Sequence, residues 1–234
     1  MPERITDFHA HILPGADHGS ESLDTSLAQL RLLKNAGVTD AVATPHFYPE
    51  RDSVSAFLKR REDAAALLSG ALTRELPRVY VGAEVLVCPG MEKMEGLQSL
   101  CIRGTKVLLL EMPFTRWNER LYETVYNISR TGVNAVMAHI NRYPERAAQR
   151  LVYDCGVSVQ LNSECFASRR GKKLAMKWLD SGCVTAFGSD IHGSDKSAAA
   201  SALRLSQITE KTGEAGESVL RKSNALLTGA VPLK

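Results

Sequence analysis

The sequence predicts an α/β fold in which parallel strands alternate with helices and close into a barrel of seven or eight strands. Three observations predict it. About seven short apolar runs recur along the chain, and each but one is plainly followed by an amphipathic stretch. Gly37, Gly132, Gly156 and Gly182 stand where a helical pattern stops and the next strand begins. Residues 106–112 form a nearly continuous apolar run, the pattern of a parallel strand covered on both faces. The 234 residues suit one large domain, 1–234, better than two small ones. A doubly wound open sheet is the alternative. The absence of Gly-x-Gly-x-x-Gly after the first strand weakens it as a dinucleotide-binding fold.

Residues 5–13 read as a short buried strand ending at Pro14-Gly15. Ser22-Leu23-Asp24-Thr25 opens a helix whose Leu23, Leu27, Leu30 and Leu33 fall on one side, and Gly37 ends it. A second strand, 41–44, delivers Pro45-His46. A long helical stretch over 54–76 has a break at Gly70. The third strand covers 79–87, with Glu84 inside it. After the 106–112 strand come a helix over 119–131, a strand over 135–138 ending in His139, and a helix over 144–155. A strand over 157–161, a helix over 172–181 and a strand over 184–187 follow. The last strand runs into Gly188-Ser189-Asp190-Ile191-His192. Helical sequence fills much of 196–227, with a break near Gly213 and Gly216.

Composition excludes several function classes. A formal charge of +3 without a long Lys/Arg run argues against a nucleic-acid binder. No apolar segment approaches a membrane span, and the first residues lack the apolar core of a signal peptide. Cys88, Cys101, Cys155, Cys165 and Cys183 are scattered and never in Cys-x-x-Cys, which points to free thiols in a reducing cytoplasm. A cysteine-based tyrosine phosphatase needs Cys followed six residues later by Arg. The residues six on are Met94, Val107, Leu161, Gly171 and Ser189.

Chemistry concentrates at predicted strand ends. Of the six histidines, His9, His11, His46, His139 and His192 sit there, and His18 lies in the first loop. His9 and His11, two apart on a strand, share one face, which suits metal ligation. Glu84 and Glu111 are carboxylates within otherwise apolar strands, and Asp190 closes the last strand. A barrel gathers all its strand ends into one bowl. Buried carboxylates need cations or hydrogen-bond donors, and a multinuclear metal site meets that need. The nitrogen and oxygen donor set, free of thiolate, favours manganese, iron or zinc.

Asp7-Phe-His9-Ala-His11, Thr44-Pro45-His46, Gly82-Ala83-Glu84, Leu110-Glu111, Ala138-His139 and Gly188-Ser189-Asp190-Ile191-His192 occur in the order seen in the PHP superfamily. The phrase His11-Ile-Leu-Pro-Gly-Ala-Asp17-His18-Gly19 most resembles its bacterial tyrosine-phosphatase branch, the CpsB/CapC/YwqE type, over nearly the whole chain. The resemblance implies a distorted (β/α)7 TIM-like barrel, a trinuclear site usually filled by manganese, and hydrolysis of protein phosphotyrosine. The implied partner is the tyrosine-rich tail of a membrane-associated autokinase that controls capsule or exopolysaccharide synthesis. It also implies roles. His9, His11, Glu84 and Asp190 hold a first metal. Glu84 bridges to a second, completed by Glu111 and His139. His46 and His192 hold the third. Arg142 binds phosphate, and Asp7 orients a histidine; apart from the resemblance, Lys196 is a further phosphate-binding candidate because it lies just beyond the last motif.

The sequence departs from the family in one place. The family has Asp-Asp-Gly in the first loop, and its second Asp ligates the third metal; here His18 stands in that position. The expectation is that His18, rather than Asp17, completes the third site. Phe47, Tyr48, Phe114, Trp117 and Tyr143 lie just past ligand strands, where they face an aromatic substrate or pack the rim. Two alternatives share the same ligands: a small-molecule phosphatase acting on a histidinol phosphate-like substrate, and a metal-binding regulatory module without turnover.

Overall fold

The computed structural model describes residues 4–234. Residues 1–3, where the segment read as lacking a signal-peptide core begins, lie outside the described residues. Strands β1 (Thr6–Ala10), β2 (Asp40–Ala43) and β4 (Arg78–Val81) form one parallel sheet, in the order β1-β2-β4. Strands β3 (His46–Phe47), β5 (Glu84–Leu86), β6 (Val107–Glu111), β7 (Asn134–Met137), β8 (Ser158–Asn162) and β9 (Val184–Gly188) form a second, in that order. The chain passes from β2 directly to β3 and from β4 directly to β5, so the nine strands among the described residues make seven staves. The ring returns from β9 to β1 through a parallel bridge between Ala10 and Ile191. Asp190 N donates to His9 O at 2.8 Å there, and His11 N donates to Ile191 O at 3.2 Å. The architecture is a distorted, TIM-like barrel.

Residues 79–87, read as one strand, are two strands in different sheets, and Glu84 opens the second of them. The chain turns at Gly82-Ala83, where Gly82 N donates to Ala43 O at 2.8 Å and Glu84 N to Pro45 O at 3.1 Å. The two short 3₁₀ turns after it, Met91–Lys93 and Leu97–Leu100, carry no strong periodic signal.

Helices cover the outside. They are α1 (Leu23–Asn35), α2 (Val54–Ser69), α3 (Glu119–Arg130), α4 (Glu145–Tyr153), α5 (Arg169–Asp180), α6 (Lys196–Ser206), α7 (Ile208–Thr212) and α8 (Glu214–Leu226). Side-chain caps set several starts. Ser22 Oγ accepts from Thr25 N, Asn118 Oδ1 from Leu121 N, and Ser168 Oγ from Gly171 N. The break expected near Gly213 and Gly216 falls at Gln207 and Gly213; Gly216 lies inside α8 and is buried. Packed there, its missing side chain leaves room for Thr212, which a Cβ at Gly216 would strike at 2.1 Å.

Two apolar layers result from strand alternation. Outward-facing Ala41, Val79, Leu108, Met137 and Leu161 meet the helices through Leu30, Phe57, Val125, Leu151 and Trp178. Inward-facing Phe8, Val42, Tyr80, Leu109, Val136 and Ala186 fill the barrel, with Leu227 closing its lower end. Burying one such side chain contributes roughly 1.5–3 kcal/mol. In β1 the register slips: Asp7 opposes Ala41 and Ala10 opposes Ala43, so three steps on β1 match two on β2. This bulge breaks alternation, so both Phe8 and His9 face the lumen. Phe8 belongs to the apolar floor and His9 to the polar layer above it. No helix among the described residues is long and apolar enough to cross a membrane.

Candidate metal centre

Glu84 lies at the middle of the carboxyl-terminal mouth, wholly buried. Its Oε2 is 3.1 Å from His9 Nε2, 3.2 Å from His11 Nε2 and 3.1 Å from His46 Nδ1. Its Oε1 is 2.8 Å from His139 Nε2. Asp190 Oδ1 approaches His9 and His11 Nε2 at 3.5 and 3.3 Å. Glu111 reaches His139 Nε2 at 3.5 Å and His46 Nδ1 at 3.8 Å. The His192 ring stacks on His11 with centroids 4.1 Å apart. Among the described residues, ligand atoms fall into four groups: His11, His46 and His192; His9, His11 and Asp190; His9, Glu84 and His139; His46, Glu84 and Glu111.

The arrangement fits divalent cations. His9 and His11 present their Nε2 atoms to each other at 3.1 Å, a pairing that holds without an ion only if one carries a proton. Glu84 Oε2, His46 Nδ1, His139 Nδ1 and His192 Nε2 are buried without a well-directed hydrogen bond, the approaches of imidazole nitrogens to Glu84 Oε2 being charge contacts only. Each such group costs about 1–3 kcal/mol unless something satisfies it. Cations among these donors remove that cost, and a donor set of nitrogen and oxygen suits manganese, iron or zinc.

Charge coupling is strong. Burial pushes the Glu84 carboxyl up, but the surrounding imidazoles of His9, His11 and His139 outweigh it and hold it well below the usual carboxylate range. Asp190 is held low in the same way by His9 and His11. Burial, helped by repulsion from His11 and His9, outweighs the pull of Glu84 and Asp17 and takes His46 down to about 4. His139 opposes burial through hydrogen bonds to Glu111 and Glu84 and rises to about 9. His139 and Asp190 carry left-handed backbones, with φ of 32° and 52°. A non-glycine residue held there costs on the order of 1–3 kcal/mol, which the chain tolerates where side-chain aim matters.

A ring of polar groups holds the ligand side chains. Asp17 Oδ2 lies 2.7 Å from His11 Nδ1 and accepts from His46 N at 2.9 Å, while Oδ1 accepts from Gly19 N at 2.9 Å. Gln160 Oε1 lies 3.3 Å from His9 Nδ1 and accepts from His139 N at 2.7 Å. Gln160 Nε2 donates to Asn162 Oδ1 at 2.7 Å, and Asn162 Nδ2 donates to Asp190 Oδ2 at 3.1 Å. Gly188 keeps this layer open: a Cβ there would lie 2.6 Å from His9 Cβ and 2.7 Å from Gln160 Nε2.

The structure brings His9, His11, His46, Glu84, Glu111, His139, Asp190 and His192 together. His18 is placed differently from the expectation. It is exposed, stacked on His46 with centroids 5.1 Å apart and 4.8 Å from His192, and none of its ring nitrogens joins a ligand group among the described residues. Asp17 turns inward instead, because His11 Nδ1 and two backbone amides draw its carboxylate. Asp7 does not orient an imidazole. Ser189 at the end of β9 supplies two donors, so the Asp7 carboxylate accepts from Ser189 Oγ at 2.5 Å, Ser189 N at 2.8 Å and the backbone N of His9 at 3.2 Å. Burial raises its pKa to about 6.

Arg142 lies at the rim, a third exposed. Nε and Nη2 donate to Glu164 at 2.6 and 3.0 Å, and Nη1 lies 2.6 Å from Asp190 Oδ2. Lys196 starts α6, exposed, and its ammonium makes no contact with the cluster among the described residues. Of the aromatic residues, Phe47 is core and Tyr143 is buried, accepting from Met112 N at 2.9 Å. Trp117 donates to Pro113 O at 2.7 Å and packs edge-on against Tyr143. Tyr48 stacks on His46, and Phe114, 68% exposed, stacks near His139 with centroids 6.0 Å apart.

Sequence reasoning missed Gln160, Asn162 and Glu164. The first two had a signal: polar residues at alternate positions of the otherwise apolar Val159-Gln160-Leu161-Asn162. Glu164 had none, because its role depends on a turn that brings it to Arg142.

Comparison with known proteins gives the family. A family described as capsular polysaccharide synthesis, CpsB/CapC, matches residues 5–227. The tyrosine-protein phosphatase YwqE of Bacillus subtilis is 28% identical over 204 residues, covering 80% of this chain and 77% of that protein. The tyrosine-protein phosphatase CpsB of Streptococcus pneumoniae is 27% identical over 211 residues, 82% of this chain and 84% of that one. A solved structure from work on YwqE and CpsB, described as metal-dependent tyrosine phosphatases, superposes with a TM-score of 0.77 at 22% identity, covering 97% of this chain and 95% of the other. A lactonase of Listeria monocytogenes shares the fold more loosely, with a TM-score of 0.51 at 9% identity, over 100% of this chain and 96% of that one. With a histidine- and carboxylate-lined barrel mouth and a family match over nearly its whole length, this chain belongs to the CpsB/CapC family of capsular polysaccharide synthesis.

Proposed function

We propose that this chain is a metal-dependent phosphatase that hydrolyses phosphotyrosine on a protein. The observation that carries the reading is the convergence of buried imidazole and carboxylate atoms around Glu84, several without a well-directed hydrogen bond, in a chain whose relatives are tyrosine-protein phosphatases. His9, His11, Glu84 and Asp190 would hold one ion. Glu84, Glu111 and His139 would hold a second, and His46 and His192 a third. Manganese is the preferred ion, with iron or zinc as substitutes. When bound, such ions acidify water and neutralise phosphoryl charge.

The chain's own residues supply the rest. The Arg142 guanidinium, presented by Glu164, offers paired donors to phosphoryl oxygens when it exchanges Asp190 for substrate. Phe114 and Tyr48, beside His139 and His46, flank the aromatic leaving group. Gln160 and Asp17 keep His9 and His11 turned toward the centre. No thiol takes part: burial raises Cys101 and Cys155 to about 11 and Cys165 to about 12, far from thiolate formation at neutral pH. The whole chain, 1–234, would act as one domain in the cytoplasm. Its substrate would be the tyrosine-bearing tail of a membrane-associated autokinase in capsule or exopolysaccharide synthesis.

The test is turnover of a phosphotyrosine peptide beside histidinol phosphate, with manganese and after chelation. Manganese-dependent release of phosphate from the peptide, far above that from histidinol phosphate, is the expected result. Preference for histidinol phosphate would replace this reading with a small-molecule phosphatase.

A further inference from the structure

The geometry points to a groove between the turn after β7 and α5 as the docking site for an acidic peptide segment flanking the substrate phosphotyrosine. The inference rests on the phosphotyrosine reading above. The groove, of about 980 Å³, is lined by Asn141, Tyr143, Leu174, Met176, Arg170 and Lys173, with Asp180 and the Lys177–Glu145 ion pair as its other charged groups. It begins at the metal centre: Tyr143 packs edge-on against His139 with centroids 5.5 Å apart, and Asn141 Nδ2 donates to Glu164 Oε1, the partner of Arg142. A chain whose phosphotyrosine sits at the centre therefore meets this groove next.

Outside the Lys177–Glu145 pair, two cations, Arg170 and Lys173, line the groove with one acidic residue, Asp180, and Arg169 and Lys172 stand beside it. Arg169-Arg170-Gly171-Lys172-Lys173 opens α5 with four cations and no acidic residue in the first turn. All four are exposed, and none forms an ion pair among the described residues. Lys177, further along, is already paired with Glu145. Cations at a helix amino terminus oppose the helix dipole, costing about 0.3–1 kcal/mol each. This unfavourable placement gains a rationale if an anion binds there. Leu174 and Met176 add apolar surface between the charges, so the occupant is an extended segment carrying Asp or Glu. Arg170 and Lys173 flank a concave groove rather than a flat face, which suits a peptide more than a lipid surface.

The experiment uses the manganese-loaded full chain and the Arg170→Glu/Lys173→Glu double variant, whose changes fall on exposed positions. Three substrates are compared: a phosphotyrosine peptide with acidic flanks, the same peptide with those acids replaced by Gln and Asn, and p-nitrophenyl phosphate. The expected result is a KM for the acidic peptide raised at least about fivefold, as reversal of two surface cations implies. The kcat and the other two substrates are unchanged, and the difference vanishes in high salt. Equal KM changes for both peptides, or none, overturn the proposal. If wild type turns over no aryl phosphate, the phosphotyrosine reading fails. The groove is then judged by fluorescence anisotropy with an unphosphorylated acidic peptide, where loss of binding in the variant supports docking and equal binding overturns it. Sedimentation with phosphatidylserine–phosphatidylcholine vesicles completes the test: vesicle binding lost in the variant, with both peptides treated alike, replaces the peptide with a membrane.

Discussion

Gln160 Oε1 stands 3.3 Å from His9 Nδ1 while accepting the backbone N–H of His139 at 2.7 Å, so one amide oxygen fixes two members of the cluster. If Nδ1 of His9 donates to it, Nε2 keeps its lone pair for an ion. Gln160→Leu preserves bulk and removes the acceptor. Metal affinity is expected to fall about 10–100-fold, the usual effect of losing such a partner. Calorimetric metal titration, with circular dichroism to verify folding, checks this; unchanged affinity would refute the role.

The first loop yields a second expectation, opposite to the reading from sequence alone. Asp17 holds His11 Nδ1 and the backbone of His46, whereas His18 stacks outside the ligand groups. Asp17→Ala is expected to cost more bound metal than His18→Ala. Elemental analysis of the purified variants decides between them, and a larger loss in His18→Ala would restore His18 as a ligand.

At the rim, Arg142→Ala is expected to retain metal but lose about 10–100-fold in kcat/KM, the scale of one lost bidentate charge-assisted contact of 1.5–3 kcal/mol. Glu164→Gln leaves the guanidinium present but less firmly aimed, so its smaller loss falls mainly on KM. Steady-state kinetics with a phosphotyrosine peptide separates the two. A Glu164→Gln variant as damaged as Arg142→Ala would mean that Glu164 does more than aim it.

The buried thiols predict an alkaline limit. Burial raises Cys101 and Cys155 from 9 to about 11. A group whose folded pKa lies above its unfolded value stabilises fully below the unfolded value, and that contribution is lost as pH rises through the folded one. Folding stability should therefore decline between pH 9 and 11. In Cys101→Ala/Cys155→Ala the decline should be shallower, even if the variant starts less stable. Urea unfolding at a series of pH values measures the slopes; parallel slopes would contradict the burial account.

The helix–strand alternation was legible because periodicity and glycine punctuation are local. Ser22 and Gly37 bracket α1 as their chemistry requires. The ligand-type residues were legible because a barrel brings strand ends together whatever the intervening sequence. The bend at Gly82-Ala83 was not, because an apolar run looks the same whether it serves one sheet or two. The inward turn of Asp17 was equally hidden. It depends on where His11 Nδ1 and the His46 amide lie in space, and residue type alone makes Asp17 and His18 equivalent candidates.

The bridge between Ala10 and Ile191 also bears on how the molecule assembles. His9 and His11 come from the first stave, and Asp190 and His192 follow the last, so these four donors meet only when distant parts of the chain have joined. That contact has the largest loop-closure cost in the sheet. A growing polypeptide that has not yet produced residues 184–192 has half a cradle. On the metal-dependent reading proposed above, ion capture would therefore be a late event that reports closure of the ring.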